Sequence, residues 1–443
     1  MNIKVNGGKI SAADQKIFSN TNETILTLLK NFSRSKKIGR FCVRIRKKIF
    51  GDDNLKFAKR MNNFGEGIFA RLAAMKHEKI LSGAEVIDLS IGAPNIPPPA
   101  HVMKVLSEEA LKPENYVYAI TDTHELLNEA ADWYRRRYDV EINPESEVCS
   151  LWGSQEGLSH IALTLIDDGD LTLVPDPCYP IFADGAKLAG SKIFYMPQLK
   201  EHDYIIQLEK IPADVAERAK FMIVSYPNNP TTATAPADFY ERLIYFAKKN
   251  NIVVLHDNAY SELIFNGSKG FSFLSFKGAK DIGVEFNSLS KTYGIAGARV
   301  GFCLGNKDVV RHVKLLKSNI DYGLFLPIQK AAIAALQSPQ EVIDRTRAAY
   351  IERIDALIDG LSAAGWQIDK PKATMFVWAP VPKNFGTSED FVKTLLEKSN
   401  VMVTPGSAFG KSGEGFIRMA LVQTADTMKK VAAQIQATIK FSS

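Results

Sequence analysis

From about residue 85 onward, short apolar runs alternate along the chain with stretches whose apolar positions repeat with a helical period, such as residues 238–251. Strands that alternate with helices are typical of an α/β protein with a mostly parallel, doubly wound sheet. Apolar runs that are nearly continuous are expected where helices cover both faces of the sheet. The predicted strands span residues 85–92, 171–177, 192–197, 220–227, 251–258, 284–290 and 299–305.

The pattern changes after about residue 325, where helical periods dominate. Residues 341–365 predict a long helix, residues 375–381 a short strand, and the C-terminal stretch a further helix. These elements predict a second, smaller α+β domain. We therefore expect a basic extension over residues 1–55, an N-terminal part of the small domain over 56–105, a large domain over 106–325 and the rest of the small domain over 326–443.

The composition of the chain is typical of a globular protein. The chain has 443 residues, 46% of them hydrophobic and 23% charged, which is an ordinary globular balance. No apolar run reaches the roughly 18 residues of a transmembrane helix, and the polar start argues against a secretory signal. The spacing of the cysteines matches no metal site and fits a reducing compartment. We expect a cytoplasmic protein without a metal. The cysteines are Cys42, Cys149, Cys178 and Cys303.

The positive charge is concentrated at the beginning of the chain. Residues 1–60 hold 15 Lys and Arg against 4 Asp and Glu, whereas the net charge of the whole chain is only +6. The remainder is mildly acidic, so its charge gives no reason to expect a nucleic-acid partner. Residues 34–50 could form a basic amphipathic helix on anionic lipid or nucleic acid. The alternative, which we favour, is a solvated and partly disordered tail.

Polar residues gather where the predicted strands end. In an open parallel sheet the carboxyl ends of the strands share one edge, and ligands bind there. Each such residue alone has an ordinary explanation, as a turn former or a helix cap, but together they predict a site. The residues in question are Ser154, Gln155, Asn229, Asp257, Tyr260 and Lys291.

This set of residue types suits one cofactor, pyridoxal 5'-phosphate. A lysine beside an apolar strand has its charged form disfavoured, which makes Lys291 a better nucleophile for a Schiff base with an aldehyde. The cofactor also needs a carboxylate at its ring nitrogen, for which Asp257 is the candidate. Tyr260 and Asn229 are candidates to donate to its ring oxygen.

The cofactor's phosphate requires an anion site. Arg299 follows Lys291 by eight positions, and Ser288 precedes it by three. The backbone amides of Ser154 and Gln155 open a predicted helix, where anions bind readily. We expect these four residues to hold the phosphate.

Four motifs together identify a resemblance. They are "SLSKTYGIAGARVG" (288–301), "YPNNPT" (226–231), "HDNAY" (256–260) and "GFIRMAL" (415–421). In this order they resemble the class I and II aminotransferases of the pyridoxal-phosphate fold type I family. The resemblance runs from about residue 60 to the C-terminus. It implies a large and a small domain, and transamination between an L-amino acid and a 2-oxo acid.

The resemblance also implies roles for individual residues. Lys291 would bind the cofactor covalently and move the proton of the reaction, and Tyr179 would stack on the cofactor ring. Tyr118 would reach the phosphate of a neighbouring subunit, which implies a homodimer with shared active sites. Arg418 would bind the substrate α-carboxylate as a two-pronged pair, with Gly92 and Asn229 beside it.

The substrate is a narrower question. Stretches such as "EFNSLSKTY" (285–293) resemble bacterial LL-diaminopimelate aminotransferases, which implies that substrate with 2-oxoglutarate. Those enzymes carry a glutamate where this chain has Thr121. Asp122, the next residue, is our candidate for the distal ammonium of the substrate. The alternative is that Asp122 caps the helix beginning near His124.

Other functions and two departures from the family stay open at this point. An alanine, aspartate or glutamate aminotransferase, a C–S lyase or a cyclase could use the same residues. A non-catalytic binding module is a further reading, but the complete set of competent residues favours an enzyme. Thr232 and Thr123 stand where the family has glycine. We expect Thr232 to keep φ below zero and Thr123 to reshape the substrate pocket.

Overall fold

The computed structural model describes residues 57–65, 67–265, 267 and 270–441. The chain divides into two compact units, Met1–Met61 and Asn62–Ser443, and the account below concerns the second. The predicted extension over residues 1–55 lies outside the described residues. The predicted domain boundaries at residues 105 and 325 stay predictions, because Asn62–Ser443 forms one unit.

Strands and helices alternate through most of the chain. The strands are β1 (Ile87–Asp88), β2 (Val148–Leu151), β3 (Leu171–Asp176), β4 (Lys192–Pro197), β5 (Ala219–Ser225), β6 (Val253–Asp257), β7 (Gly283–Ser288), β8 (Gly301–Gly305), β9 (Phe376–Pro380), β10 (Val401–Met402), β11 (Thr404–Pro405) and β12 (Phe416–Ala420). The helices are α1 (Ile68–Leu81), α2 (Ala100–Ala110), α3 (His124–Tyr138), α4 (Ser154–Leu165), α5 (Ile181–Leu188), α6 (Ala213–Arg218), α7 (Ala237–Asn250), α8 (Ala279–Ile282), α9 (Leu289–Thr292), α10 (Lys307–Ile320), α11 (Leu326–Leu336), α12 (Gln340–Ala363), α13 (Ser388–Ser399) and α14 (Ala425–Thr438).

The largest sheet in the described part of the chain has seven strands in the order β2-β8-β7-β6-β5-β3-β4. β8 is antiparallel to both of its neighbours, and the pairs from β7 to β4 are parallel. The prediction of a mostly parallel, doubly wound sheet is confirmed. Because β8 runs the other way, its amino end lies at the edge where the other strands end.

Helices cover both faces of this sheet, which explains the nearly continuous apolar runs. One face packs Met222 and Val254 into a core with residues of α3, α7 and α11. The other face packs Ile223 and Leu255 against residues of α4, α5 and α10. Successive residues of a strand alternate between faces, so neighbouring positions on β5 and β6 enter different cores.

Two smaller sheets belong to a third core in the described residues. β1 pairs with β10 in parallel, and β11, β12 and β9 form an antiparallel sheet. They share this core with α12, α13 and α14. The predicted strand over residues 85–92 therefore contributes only Ile87–Asp88, and it lies outside the large sheet. An apolar run alone does not specify its partner strand.

A search of the described residues for membrane spans found no helix long and apolar enough to cross a bilayer. Cys149 and Cys303, distant in sequence, are register partners on β2 and β8. Both are buried with free thiols, as is Cys178.

Candidate active site

A cavity of about 320 Å³ lies at the edge of the large sheet where the parallel strands end. Most of the residues predicted from the sequence line this cavity together. Tyr118 and Asp122 are outside its lining. The lining residues are Ile91, Gly92, Ser154, Gln155, Tyr179, Asn229, Asp257, Ala259, Tyr260, Ser288, Ser290, Lys291, Arg299, Phe376 and Arg418.

Lys291 lies on α9, a single helical turn that begins directly after β7. Its Nζ donates a hydrogen bond to the carbonyl oxygen of Gly92 at 2.9 Å. Burial lowers the pKa of Lys291 to about 8, and the nearby charges of Arg418 and Arg299 act in the same direction. The amine is therefore close to its neutral, nucleophilic form at physiological pH.

Asp257 ends β6 and is buried. Burial raises the pKa of this carboxyl to about 7, although a hydrogen bond from the backbone of Ala259 opposes the shift. Its Oδ1 has no hydrogen-bond partner among the described residues. A buried polar atom without a partner is costly, so this oxygen is suited to a donor that enters the cavity.

Arg418 lies on β12, in the smaller antiparallel sheet, and is buried. Its Nη1 donates to Asn229 Oδ1 at 2.9 Å and its Nη2 to the carbonyl oxygen of Ser90 at 2.8 Å. The guanidinium carbon lies 4.2 Å from the ring centre of Phe376 and 4.6 Å from that of Phe409. These contacts hold the guanidinium plane in place.

The hydrogen bonds of the Arg418 guanidinium go to an amide and a backbone carbonyl, none to a carboxylate of the described residues, and its Nε is buried without a hydrogen bond there. Burial lowers the pKa of this guanidinium to about 10. Buried charges are normally paired. The position is therefore prepared for an anion that the chain does not supply.

Gly92 is required by the close packing beside Arg418. A Cβ on this residue would lie 2.7 Å from two ring carbons of Phe376. The same Phe376 ring packs against the Arg418 guanidinium. Any larger residue at position 92 would displace the ring that holds the cation.

A candidate anion site lies along the same cavity. α4 begins at Ser154, directly after Gly153 with φ +80°, and Ser154 and Gln155 in its first turn line the cavity. The first backbone N–H groups of a helix have no partner within the helix. Arg299 donates to the carbonyl oxygens of Ala296 at 3.1 Å and Trp152 at 3.5 Å. Ser288 caps α9 by accepting a hydrogen bond from Ser290 N. Helix N-termini with a nearby arginine are typical phosphate sites.

Tyr179 and Tyr260 supply aromatic rings to the cavity. Tyr179 donates from its hydroxyl to Gln155 Oε1 at 2.8 Å. The ring of Tyr260 meets that of Phe376 edge to face, with centroids 5.8 Å apart. Burial raises the pKa of both phenols, so both stay protonated as donors.

Sequence reasoning missed Ser290. The residue lines the cavity, and its buried hydroxyl has no hydrogen-bond partner among the described residues. Its position between Ser288 and Lys291 was the available signal. Phe376 was missed as well, because a strand residue of the small sheet gives no sign that it packs on an arginine.

Glu156 stabilises the turn that leads into the candidate anion site. The sequence did not indicate this role. Its Oε2 accepts from Trp152 N at 2.6 Å, and its Oε1 accepts from Lys317 Nζ at 2.7 Å. Burial alone would raise its pKa, but hydrogen bonds from His160 and Lys317 hold the pKa at about 2. The ionised carboxylate fixes the turn that precedes Ser154.

Asp122 is occupied within its own chain. Its carboxylate accepts hydrogen bonds from the backbone N and the hydroxyl of Ser150. The alternative that it caps α3 is wrong, because Thr123 is the N-cap and accepts from Leu126 N. Thr123 also lies outside the cavity lining. A role for Asp122 in substrate binding stays a prediction.

Thr232 has φ +64°, so the expectation that it keeps φ below zero is wrong. Its N–H donates to the carbonyl oxygen of Asn228 at 2.9 Å, which closes the turn after β5. The turn evidently requires the left-handed conformation, which costs a residue with a Cβ about 1–2 kcal/mol.

Thr232→Gly should therefore raise stability, since glycine adopts this conformation without that cost. The gain is reduced by the larger entropy of glycine in the unfolded chain, which leaves up to about 1 kcal/mol. Urea unfolding of the two proteins measures it. A lower free energy of unfolding in Thr232→Gly would contradict the proposed strain.

Comparisons with known proteins found similar sequences and structures along most of the chain. The family model described as aminotransferase class I and II matches residues 84–435. An LL-diaminopimelate aminotransferase of Moorella thermoacetica is 42% identical over 380 residues, which are 86% of this chain and 97% of the relative. One of Syntrophobacter fumaroxidans is 41% identical over 86% of this chain and 98% of the relative.

A solved structure is also similar. The substrate-bound structure of BacF from Bacillus subtilis has a TM-score of 0.85 and 35% sequence identity. The match covers 88% of this chain and all of the BacF chain. The similarity therefore extends over both the large sheet and the smaller sheets.

Proposed function

Since this chain belongs to the class I and II aminotransferase family, we propose that it uses pyridoxal 5'-phosphate to transfer an amino group between an L-amino acid and a 2-oxo acid. One observation carries the proposal. Asp257, Ser290 and Arg418, each with a buried polar atom that lacks a hydrogen-bond partner among the described residues, line the same cavity as Lys291.

The residues present fit the cofactor. The unpaired Oδ1 of Asp257 suits a protonated ring nitrogen, and Tyr179 offers a ring face for stacking. Asn229 uses its Oδ1 for Arg418, which leaves its amide nitrogen to donate, with Tyr260, to the ring oxygen. The phosphate would bind Ser154, Gln155, Ser288 and Arg299. When bound, pyridoxal phosphate withdraws electrons from the substrate's Cα and carries the amino group.

The chain's own groups perform the remaining work. Arg418 binds and orients the substrate α-carboxylate, because its guanidinium is held by Asn229 and Ser90 and lacks an acidic partner among the described residues. Lys291 Nζ takes the proton from Cα and returns it, and a pKa of about 8 matches that task near neutral pH. Asp257 supplies a negative charge and Tyr260 a hydrogen-bond donor, each at a fixed position, while the amino group is transferred.

For the substrate, we propose LL-diaminopimelate, as the names of the relatives suggest, with 2-oxoglutarate as the 2-oxo acid. The chain matches nearly the whole length of those relatives. Alanine, aspartate or glutamate as the amino donor is the alternative.

We also propose a cytoplasmic homodimer. Tyr118 is 85% exposed and lies in a segment that exposes Tyr116, Val117 and Ile120 as well. Such an apolar segment suits contact with a second copy, where Tyr118 would reach the neighbouring phosphate site. The free thiols of Cys149 and Cys303, side by side on paired strands, favour a reducing compartment.

A screen of amino donors and 2-oxo acids tests the proposed function. Purified protein with pyridoxal phosphate should convert LL-diaminopimelate and 2-oxoglutarate to glutamate and the matching keto product. Turnover only with alanine or aspartate would replace the substrate, and release of sulfide or ammonia without amino transfer would indicate a lyase. No amino transfer with any pair would contradict the proposal.

Asp122→Asn should lower the melting temperature and leave the ratio of kcat/KM between donors unchanged. The wild-type carboxylate accepts from two groups of Ser150, and losing hydrogen bonds of a charged acceptor costs about 1–3 kcal/mol of stability. Measurement of kcat/KM for diaminopimelate, alanine and aspartate, with thermal unfolding, checks this. A fall confined to diaminopimelate would instead assign Asp122 to its distal ammonium.

A further inference from the structure

Directly behind Asp257 lies a buried polar cluster that the reaction described above does not use. Glu285 on β7 and His256 on β6 are register partners, and both are fully buried. By the alternation of strand residues, they face the helices α3 and α7, whereas Asp257 faces the opposite side of the sheet. The cluster therefore belongs to the far side of the sheet from the α4 helix.

The carboxylate of Glu285 is well supplied with donors. Oε1 accepts from the hydroxyls of Tyr134 at 2.8 Å and Ser272 at 2.9 Å. Oε2 accepts from Phe273 N at 2.7 Å and lies 3.1 Å from His256 Nδ1. Hydrogen bonds from several donors stabilise a buried carboxylate in its ionised form.

His256 adds no positive charge to balance the carboxylate of Glu285. We assign the proton of His256 to Nδ1, where it donates to Glu285. Nε2 lies 3.4 Å from the hydroxyl of Tyr240, which can donate to it. A neutral imidazole satisfies both contacts, so the cluster carries a net negative charge.

We propose that Glu285 is a positioning residue that acts through Asp257, its buried negative charge favouring a protonated ring nitrogen on the bound cofactor. This inference rests on the proposed function. Neighbouring strands are about 4.8 Å apart, and His256 directly precedes Asp257. The like charge of Glu285, on the opposite face of the neighbouring strand, raises the pKa of Asp257 in addition to the larger effect of burial. A cation beside Asp257 relieves that repulsion and gains from both carboxylates.

Binding of two cofactors to the apoprotein tests this role without reference to activity. One is pyridoxal 5'-phosphate, and the other is its 1-deaza analogue, in which a C–H group replaces the ring nitrogen. Wild type should prefer the natural cofactor. Glu285→Gln should lower this preference about tenfold, the order expected for one buried charge at an effective dielectric constant near 20, with little change for the analogue.

Ser272→Ala is the matched control, because it removes one donor to the same carboxylate and leaves the charge. It should keep the wild-type preference even if it lowers the melting temperature. If Glu285→Gln does not fold, a triple variant of Glu285→Met, Tyr134→Phe and Ser272→Ala removes the charge together with two donors. The same tenfold loss is expected of it.

The outcomes separate the two proposals. A wild-type preference retained in the folded charge-removing variant would overturn the role of Glu285, as would an equal loss of preference in Ser272→Ala. Failure of the wild-type apoprotein to bind pyridoxal 5'-phosphate at all would overturn the proposed function itself.

Discussion

Replacing Lys291 with alanine should lower kcat for transamination on the order of 10⁴-fold, because the change removes both the covalent attachment and the group that moves the Cα proton. Its Nζ faces the cavity and donates to Gly92 O at 2.9 Å. Burial and two neighbouring guanidinium groups lower its pKa to about 8. No other lysine of the described residues lines this cavity, so no neighbour can take over.

Lys291→Arg is the control that keeps a positive charge. A guanidinium stays protonated and cannot accept the Cα proton, so the loss of kcat should be of the same order. The phosphate site is intact in both variants, and noncovalent binding of pyridoxal phosphate should persist. Activity within tenfold of wild type in either variant would show that another group moves the proton.

Arg418→Ala should weaken every amino acid and every 2-oxo acid alike, because all of them carry an α-carboxylate. Loss of one partner of a buried, hydrogen-bonded charge pair costs about 2–5 kcal/mol, which corresponds to roughly 30-fold to several thousandfold in kcat/KM. Asn229 and Ser90 would also lose their donor. Steady-state kinetics with three donors of different side chain measures the effect.

Arg418→Lys distinguishes charge from geometry. Lysine keeps the charge but not the two-pronged guanidinium, so an intermediate loss is expected for all substrates. A loss confined to one donor in Arg418→Ala would place Arg418 against the substrate side chain and contradict the assignment.

Much of the fold could be predicted from the sequence. β4 spans residues 192–197 as expected, and α7 differs from the prediction by one residue at each end. Local periodicity determines such elements, since the buried face repeats along the chain. The pairing of β1 with β10 could not be predicted, because partners more than 300 residues apart leave no local signal.

The candidate site likewise has features that could be predicted from the sequence and features that could not. Residues at strand ends, such as Asp257 and Lys291, could be placed together because parallel strands end at one edge. The packing of Phe376 on Arg418 depends on how the small sheet lies against the large one, and the bond between Asp122 and Ser150 joins a loop to a strand. The left-handed Thr232 violates the local preference that the prediction used. Tertiary contacts determine the first two features, and the third accompanies a tight local turn closed by the Thr232–Asn228 hydrogen bond.

Borohydride trapping at Lys291 tests the central claim most directly. Protein incubated with pyridoxal 5'-phosphate is reduced, digested and mapped by mass spectrometry, with and without prior addition of an amino donor. The account predicts that the cofactor is fixed to the peptide containing Lys291, that an amino donor added first abolishes this label, and that a 2-oxo acid added afterwards restores it. A label on another lysine, or one that the donor leaves unchanged, would contradict it.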